Sequence, residues 1–314
     1  MSDLDSDLSP AAAGGIVTVG NFDGVHRGHQ RMLQTLRDVA AARASHSVVV
    51  TFHPHPITVL RPAAVLHRLT TPERRTDLLR RYGADHVVVL PVTMELLQRE
   101  PEDFLQSVLI DQLHASGIVE GPNFHFGRNR SGDVRLLRKF CEQRGMAFQV
   151  IDSVNDSEEM ISSSRIRDLL IAGRVAEAVR LLGHPHQLRG RVSRGAGRGR
   201  GLGFPTANLV DTEVLLPAHG VYAAACRVDG VSYPAAVNIG PNPTFEDSAV
   251  KVECHIDGLT QDLYDRTLTV DLLTEIRALN TFATAEELTH QIRRDVDACR
   301  RIFRDADRLS SSEH

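Results

Sequence analysis

His26 and His29 stand three residues apart in the run Val19-Gly20-Asn21-Phe22-Asp23-Gly24-Val25-His26-Arg27-Gly28-His29. One helical turn separates them, so both imidazoles can face a single phosphate. Residues 16–19 read as a short buried strand, while His29, Met32, Leu33, Leu36, Val39 and Ala40 fall at helical spacing. The intervening turn therefore sits at a helix N-terminus, where free N–H groups and the helix dipole attract anions. Gly20, Gly24 and Gly28 let a ligand approach the backbone. Together these residues make a site for a nucleotide triphosphate; the plainer alternative is two surface histidines on an ordinary strand–helix turn.

Three further clusters carry polar chemistry at comparable places. Thr51-Phe52-His53-Pro54-His55-Pro56 follows the second strand, Gly121-Pro122-Asn123-Phe124-His125-Phe126-Gly127 follows the fourth, and Ile161-Ser162-Ser163-Ser164-Arg165-Ile166-Arg167 opens a late helix. The serines serve either as an N-cap alone or, with Arg165 and Arg167, as a clamp for the β and γ phosphates. The elements that must position these clusters alternate: strands at 47–52, 86–90, 117–120 and 147–151, helices at 73–82, 101–113, 136–144, 164–172 and 175–182. That rhythm predicts a Rossmann-like α/β domain around a parallel sheet, whose ligands bind beyond the carboxyl ends of the strands.

The pattern changes near Gly183. Residues 189–201 form an arginine- and glycine-rich run that reads as a surface loop, with RNA binding a weak alternative because no aromatic platforms accompany it. Leu202-Gly203-Phe204-Pro205-Thr206-Ala207-Asn208 follows at once. Strands at 221–228, 233–239, 251–256 and 268–273, with no helices between them, predict a small antiparallel barrel. A last helix spans about residues 285–303, opened by a Thr284/Glu287 capping box. Leu288, Ile292, Val296, Cys299 and Phe303 give it one apolar stripe, read as a lid on the barrel. The expected domains are 1–182 and 183–314.

Composition bounds the remaining classes. A chain of 314 residues is long enough for two cores, and its net charge of −4 lacks the basic field of a nonspecific nucleic-acid binder. Cys141, Cys226, Cys254 and Cys299 lie far apart within apolar patterns, so neither a disulfide nor a zinc site is expected. The stretch through Ala13 lacks a basic or apolar leader region, and no membrane span is visible, so a soluble, cytoplasmic protein is expected.

An H-x-G-H element after a first strand resembles the nucleotidyltransferase superfamily, and the fuller GNFDGVHxGH resembles bacterial bifunctional riboflavin kinase/FAD synthetases. The other clusters match that family in order and spacing: Pro54, His55 and Pro56 its PHP element, Asn123 and Phe124 its G-x-[DN]-F-x-FG loop, and Ser162, Ser163, Ser164 and Arg167 its SSTxIR element, with Ser164 in place of threonine. The 202–208 heptapeptide resembles the riboflavin kinase module.

The resemblance implies adenylyl transfer from ATP to FMN in the first half, preceded by phosphorylation of riboflavin in the second. His26 and His29 would be catalytic, and Gly20, Asn21, Phe22, Asp23, Gly24, Asn123, Ser162, Ser163, Ser164 and Arg167 would bind nucleotide. Pro54, His55, Pro56 and Asn123 would touch flavin. In the kinase module, Gly203 and Thr206 would bind nucleotide, Thr206 and Asn208 would hold the magnesium of ATP, and Glu253 would be the general base. The implied ligands are ATP, riboflavin, FMN and Mg2+, with no nucleic acid and no membrane; oligomeric state stays open.

The kinase module departs from the family pattern around its site. Ala196 replaces an acidic residue, Asn242 an arginine, His186 a tyrosine and Asp265 a glycine, while Leu279 and Thr281 stand where glutamate and lysine are usual. These departures leave open an adenylyltransferase with a degenerate kinase, or one redirected to a flavin analogue. A non-catalytic flavin or nucleotide sensor is the remaining alternative.

Overall fold

The computed structural model describes residues 10–63, 66–157, 159–195, 198–242 and 247–311. Ala196 lies outside them, and the chain divides into two compact units, Met1–Ser162 and Ser163–His314. The helices of residues 163–182, expected to end the first half, group with the second unit.

In the first unit, β1 (Ile16–Val19) leads to α1 (Arg27–Ala42), β2 (Ser47–His53), α2 (Pro56–Leu60), α3 (Pro72–Arg81) and β3 (His86–Pro91). Next come α4 (Met94–Gln98), α5 (Pro101–Phe104) continuing as a π-helix through Gln112, and β4 (Gly117–Glu120). A hairpin of β5 (His125–Phe126) and β6 (Gly132–Asp133) precedes α6 (Val134–Arg144) and β7 (Ala147–Val150), and a second hairpin, β8 (Asn155–Asp156) and β9 (Glu159–Met160), closes the unit.

The main sheet is parallel, in the order β3-β2-β1-β4-β7. Alternate strand residues feed opposite faces. Ile16, Val49 and Val119 pack with Leu33 and Leu36 of α1 and Leu78 and Leu79 of α3. Val17, Val19, Val48, Val50 and Ile118 pack instead with Leu105, Val108 and Leu109 and with Leu137 and Phe140 of α6. Burial on both faces explains why these strands read as continuous apolar runs. Strand order reverses between β1 and β4, and such a switch point opens a crevice for ligands at the carboxyl ends.

The second unit begins with α7 (Ser163–Ile171) and α8 (Val175–Leu182). Its barrel consists of β10 (His186–Ser193), β11 (Ala207–Val210), β12 (Gly220–Val228), β13 (Val231–Asn242), β14 (Asp247–Ile256) and β15 (Thr267–Arg277), with a short α9 (Arg198–Gly201) after β10. It closes in the order β10-β11-β14-β13-β12-β15. Part of the expected 189–201 loop is therefore strand, paired antiparallel with β15. The alternation was masked because one inward position is Gly190, where an added Cβ would lie 2.6 Å from the Val210 carbonyl. Arg189 and Arg191 thus stand in a barrel wall rather than in a loop.

α10 (Ala285–Ser311) runs past the expected end and packs on β12, β13 and β15. Thr284 Oγ1 accepts the Glu287 amide at 3.1 Å, while Glu287 reaches the Ala283 amide at 3.0 Å, one residue beyond an ordinary capping box. Val296 and Cys299 are buried from its stripe, and Arg277 of β15 grips Asp295 at 2.7 Å. The four cysteines are buried and free. No helix among the described residues is long and apolar enough to cross a membrane.

Candidate active sites

The β1–α1 turn is built from left-handed backbone at Phe22 (φ 49°), Gly24 (φ 83°) and Val25 (φ 40°). Non-glycine residues pay roughly 1–2 kcal/mol each for that conformation, so something must impose it. Buried Asp23 accepts the amides of Leu69 and Thr70 and the Thr70 hydroxyl at 3.0–3.1 Å, and Thr70 Oγ1 in turn accepts the Gly24 amide at 3.1 Å. The Arg75 guanidinium, also buried, donates to the carbonyls of Asn21 and Phe52 at 2.9 Å. Burial lowers the pKa of Arg75, and the Asp23 carboxylate opposes that shift. Asp23 thus shapes the turn through its own hydrogen bonds.

His26 caps α1, its Nδ1 accepting the His29 amide at 3.3 Å. A neutral His26 therefore carries its proton on Nε2. The two rings stack at 3.6 Å and 17°, and Phe22 meets His29 edge-on at 5.1 Å. A Cβ at position 28 would lie 3.1 Å from the His26 ring, so Gly28 makes room for it. Burial first, and the neighbouring His26 second, push the His29 pKa well below its ordinary value. Without ligand, burial thus favours the neutral form of His29. His29 Nδ1 and Asn21 Oδ1 are buried without a hydrogen-bond partner among the described residues. Orphaned buried polar atoms at an anion-attracting helix start are where a ligand belongs.

Glu120, at the end of β4, carries a functional signal that the sequence reading passed over. Its carboxyl is fully buried and accepts the Val19 amide at 2.7 Å, with the Thr18 hydroxyl at 3.5 Å. Burial raises its pKa well above the usual value, and hydrogen bonds from the Val19 and Gly121 amides only partly oppose this. A carboxyl with a raised folded-state pKa binds more protons folded than unfolded. Its contribution to stability is complete below the unfolded value of about 4.3 and is lost as pH rises through the folded one. Glu120→Gln removes that loss, so its melting temperature should gain on the native protein as pH rises from about 4 to about 8. Parallel melting curves at all pH values would refute the assignment.

The His53–Pro54 bond is cis, and His55 caps α2 by accepting the Ile57 amide at 3.2 Å. His53 and His55 line, with Asp23, Arg68 and Arg75, a cavity of ≈ 10 Å³, room for about one water. Asn123 is exposed, its amide 3.6 Å from the Met160 sulfur. A groove of ≈ 570 Å³ begins at Arg27, beside His26, and runs between Arg31 and Thr35 of α1 and residues 149–155. Ser162 ends the first unit, whereas Ser163, Ser164 and Arg167 lie in α7 of the second.

In the barrel, Ser193, Asn208, Glu253 and Asn238 occupy one cross-strand row over β10, β11, β14 and β13. They alternate with buried Val192, Leu209, Val252 and Val237, so the row faces outward. Thr206 adjoins it just before β11. The glycine-rich segment wraps these groups closely: a Cβ at Gly195 would lie 2.3 Å from Asn208 Nδ2, and one at Gly199 3.3 Å from Thr206 Oγ1. Gly203 supplies a left-handed φ of 86° in the same segment. Sequence reading missed Asn238, because only the register places it beside Glu253.

Three of the departures from the family pattern, at His186, Asp265 and Leu279, have local explanations. His186 is buried inside the barrel with Nε2 2.8 Å from the Leu215 carbonyl, away from the polar row. Asp265 adopts φ 62°, the conformation that glycine would provide. Leu279 covers Gly240, its Cδ1 2.7 Å from where a Cβ would stand. Asn242 ends β13, and Thr281 is exposed.

The chain matches the FAD synthetase family over residues 9–165 and the riboflavin kinase family over residues 182–303. It is 35% identical over 297 residues to the bifunctional riboflavin kinase/FMN adenylyltransferase of Pseudomonas fluorescens, covering 94% of this chain and 95% of that protein. The protein of the same name from Escherichia coli K12 is 33% identical over 299 residues, covering 95% and 96%. A crystal structure from Streptococcus pneumoniae, named as a macrolide-efflux protein, superimposes with TM-score 0.84 at 30% identity, covering 93% of this chain and 95% of that one.

Proposed function

The chain belongs to the family of bifunctional riboflavin kinases/FMN adenylyltransferases, and from that premise we propose which of its residues carry each reaction. The chemistry is FAD biosynthesis: riboflavin is phosphorylated to FMN with ATP, and AMP from a second ATP is transferred to FMN, releasing pyrophosphate. The functional modules are taken as residues 1–182 and 183–314.

For adenylyl transfer, an FMN phosphate oxygen attacks the α-phosphorus of ATP and the bond to pyrophosphate breaks. No protein nucleophile is needed; alignment and charge stabilisation do the work. His26 Nε2 and His29 Nδ1 donate to the phosphoryl oxygens, and the α1 N-terminus adds its dipole. The observation carrying this reading is His29 Nδ1, buried without a partner at the start of α1. The groove beginning at Arg27 has the volume of a nucleotide site and receives the rest of ATP. The family motif assigns Ser162, Ser163, Ser164 and Arg167 to the ATP phosphates and Asn123 to the adenine and flavin side.

For the kinase reaction, Glu253 accepts the proton of the riboflavin 5′-hydroxyl as the hydroxyl oxygen attacks the γ-phosphorus of ATP, and the bond from that phosphorus to the bridging oxygen breaks to release ADP. Asn208 and Asn238 stand opposite Glu253 on the two neighbouring strands. The amide and hydroxyl oxygens of Asn208 and Thr206, under a glycine cradle that a Cβ would fill, suit a hard cation. A magnesium ion held there would supply positive charge beside the transferring phosphate. Chelation with EDTA should abolish FMN and FAD formation, and added Mg2+ should restore both. Product formed in EDTA would overturn the metal assignment.

A further inference from the structure

β1 and β4 pair only through Ile16↔Gly117 and Val17↔Ile118. Their outer neighbours stay zipped further: β1 pairs with β2 as far as Val19↔Val50, and β4 with β7 as far as Glu120↔Val150. The sheet thus splits between its central strands alone, at the switch point where a nucleotide enters. The Val19 amide at the split has lost its ladder partner and is taken by the Glu120 carboxyl at 2.7 Å. Thr18 extends the link, its hydroxyl meeting Glu120 at 3.5 Å and the sulfur of Met32, on α1, at 3.0 Å. Met32 in turn lies against Gly121, a Cβ there being 3.4 Å from its methyl, and Gly121 opens the loop that carries Asn123.

We infer that Glu120 is a positioning residue for ATP: its carboxyl replaces the ladder where β1 and β4 part and so sets the width of the crevice under the histidine pair. The inference rests on the ATP site proposed above. Glu120 itself is buried and touches backbone, so it acts through the strands and through Gly121. A shorter or apolar side chain leaves the Val19 amide unpaired, and the strands close or shift to satisfy it.

The test compares Glu120→Val, Glu120→Asp and Glu120→Gln in the full chain, measuring kcat and KM for ATP and for FMN in FAD synthesis. Glu120→Val should raise KM for ATP about tenfold with KM for FMN unchanged. Glu120→Asp, which falls short of the Val19 amide, should shift the same way, and Glu120→Gln should return KM towards the native value. Riboflavin phosphorylation reports separately on the barrel unit. A loss of kcat with native KM in Val and Asp means a smaller folded fraction and overturns the inference. So does a Gln variant no better than Val. If Val does not fold, the Asp and Gln pair decides. Failure of the native protein to make FAD would refute the functional reading itself, a different outcome.

Discussion

Replacing His29 with alanine is expected to lower kcat for FAD formation from FMN about 10²–10³-fold, the usual cost of one preorganised donor at a site of developing charge. The same variant should phosphorylate riboflavin at the native rate. His29 is suited to this role because its ring is fixed between His26 at 3.6 Å and Phe22 at 5.1 Å, and its Nδ1 is buried without a protein partner. A donor held there would be aimed before substrate arrives and would cost little reorganisation. Its depressed pKa also sets a direction with pH. A buried neutral histidine is a stability contribution present above the unfolded value of about 6.5 and lost as pH falls below it, so alanine should narrow the loss of stability on mild acidification. Steady-state kinetics with FMN and with riboflavin separate the two reactions; an equal fall in both would point to global damage.

Glu253→Gln should produce the reciprocal result. Loss of a general base typically costs about 10²–10⁴-fold, so FMN formation from riboflavin should nearly cease while supplied FMN is still converted to FAD. The glutamine is isosteric and keeps its place between Asn208 and Asn238, so the barrel should remain folded. A glutamine variant with native kinase activity would return Glu253 to an ordinary outward position on an alternating strand. The departures at His186, Asp265 and Leu279 do not argue for a degenerate module, because each fills a core, turn or glycine-covering place.

Local signals carried much of this. Helical spacing after Gly28, apolar strands and the turn glycines placed α1, the parallel sheet and the histidine pair directly, because these depend on neighbouring residues. Contacts between distant segments left little trace. Arg75 sits among exposed charges on α3, and only the folded chain shows it reaching Asn21 and Phe52. Thr70 supports Gly24 from 46 residues away. Glu120 did leave a mark, an acid ending a buried strand, but its meaning depends on where β1 and β4 part. β10 and β11 escaped because the inward positions of β10 include His186 and Gly190, which do not read as a strand's apolar face.

The most direct test of the central claim is chromatographic product analysis of the purified chain, incubated separately with riboflavin and with FMN in the presence of ATP and Mg2+. Riboflavin should yield FMN and then FAD, and FMN should yield FAD with release of pyrophosphate. FAD from FMN alone would contradict the kinase assignment built on Thr206, Asn208 and Glu253, and absence of product from either flavin would contradict the account as a whole.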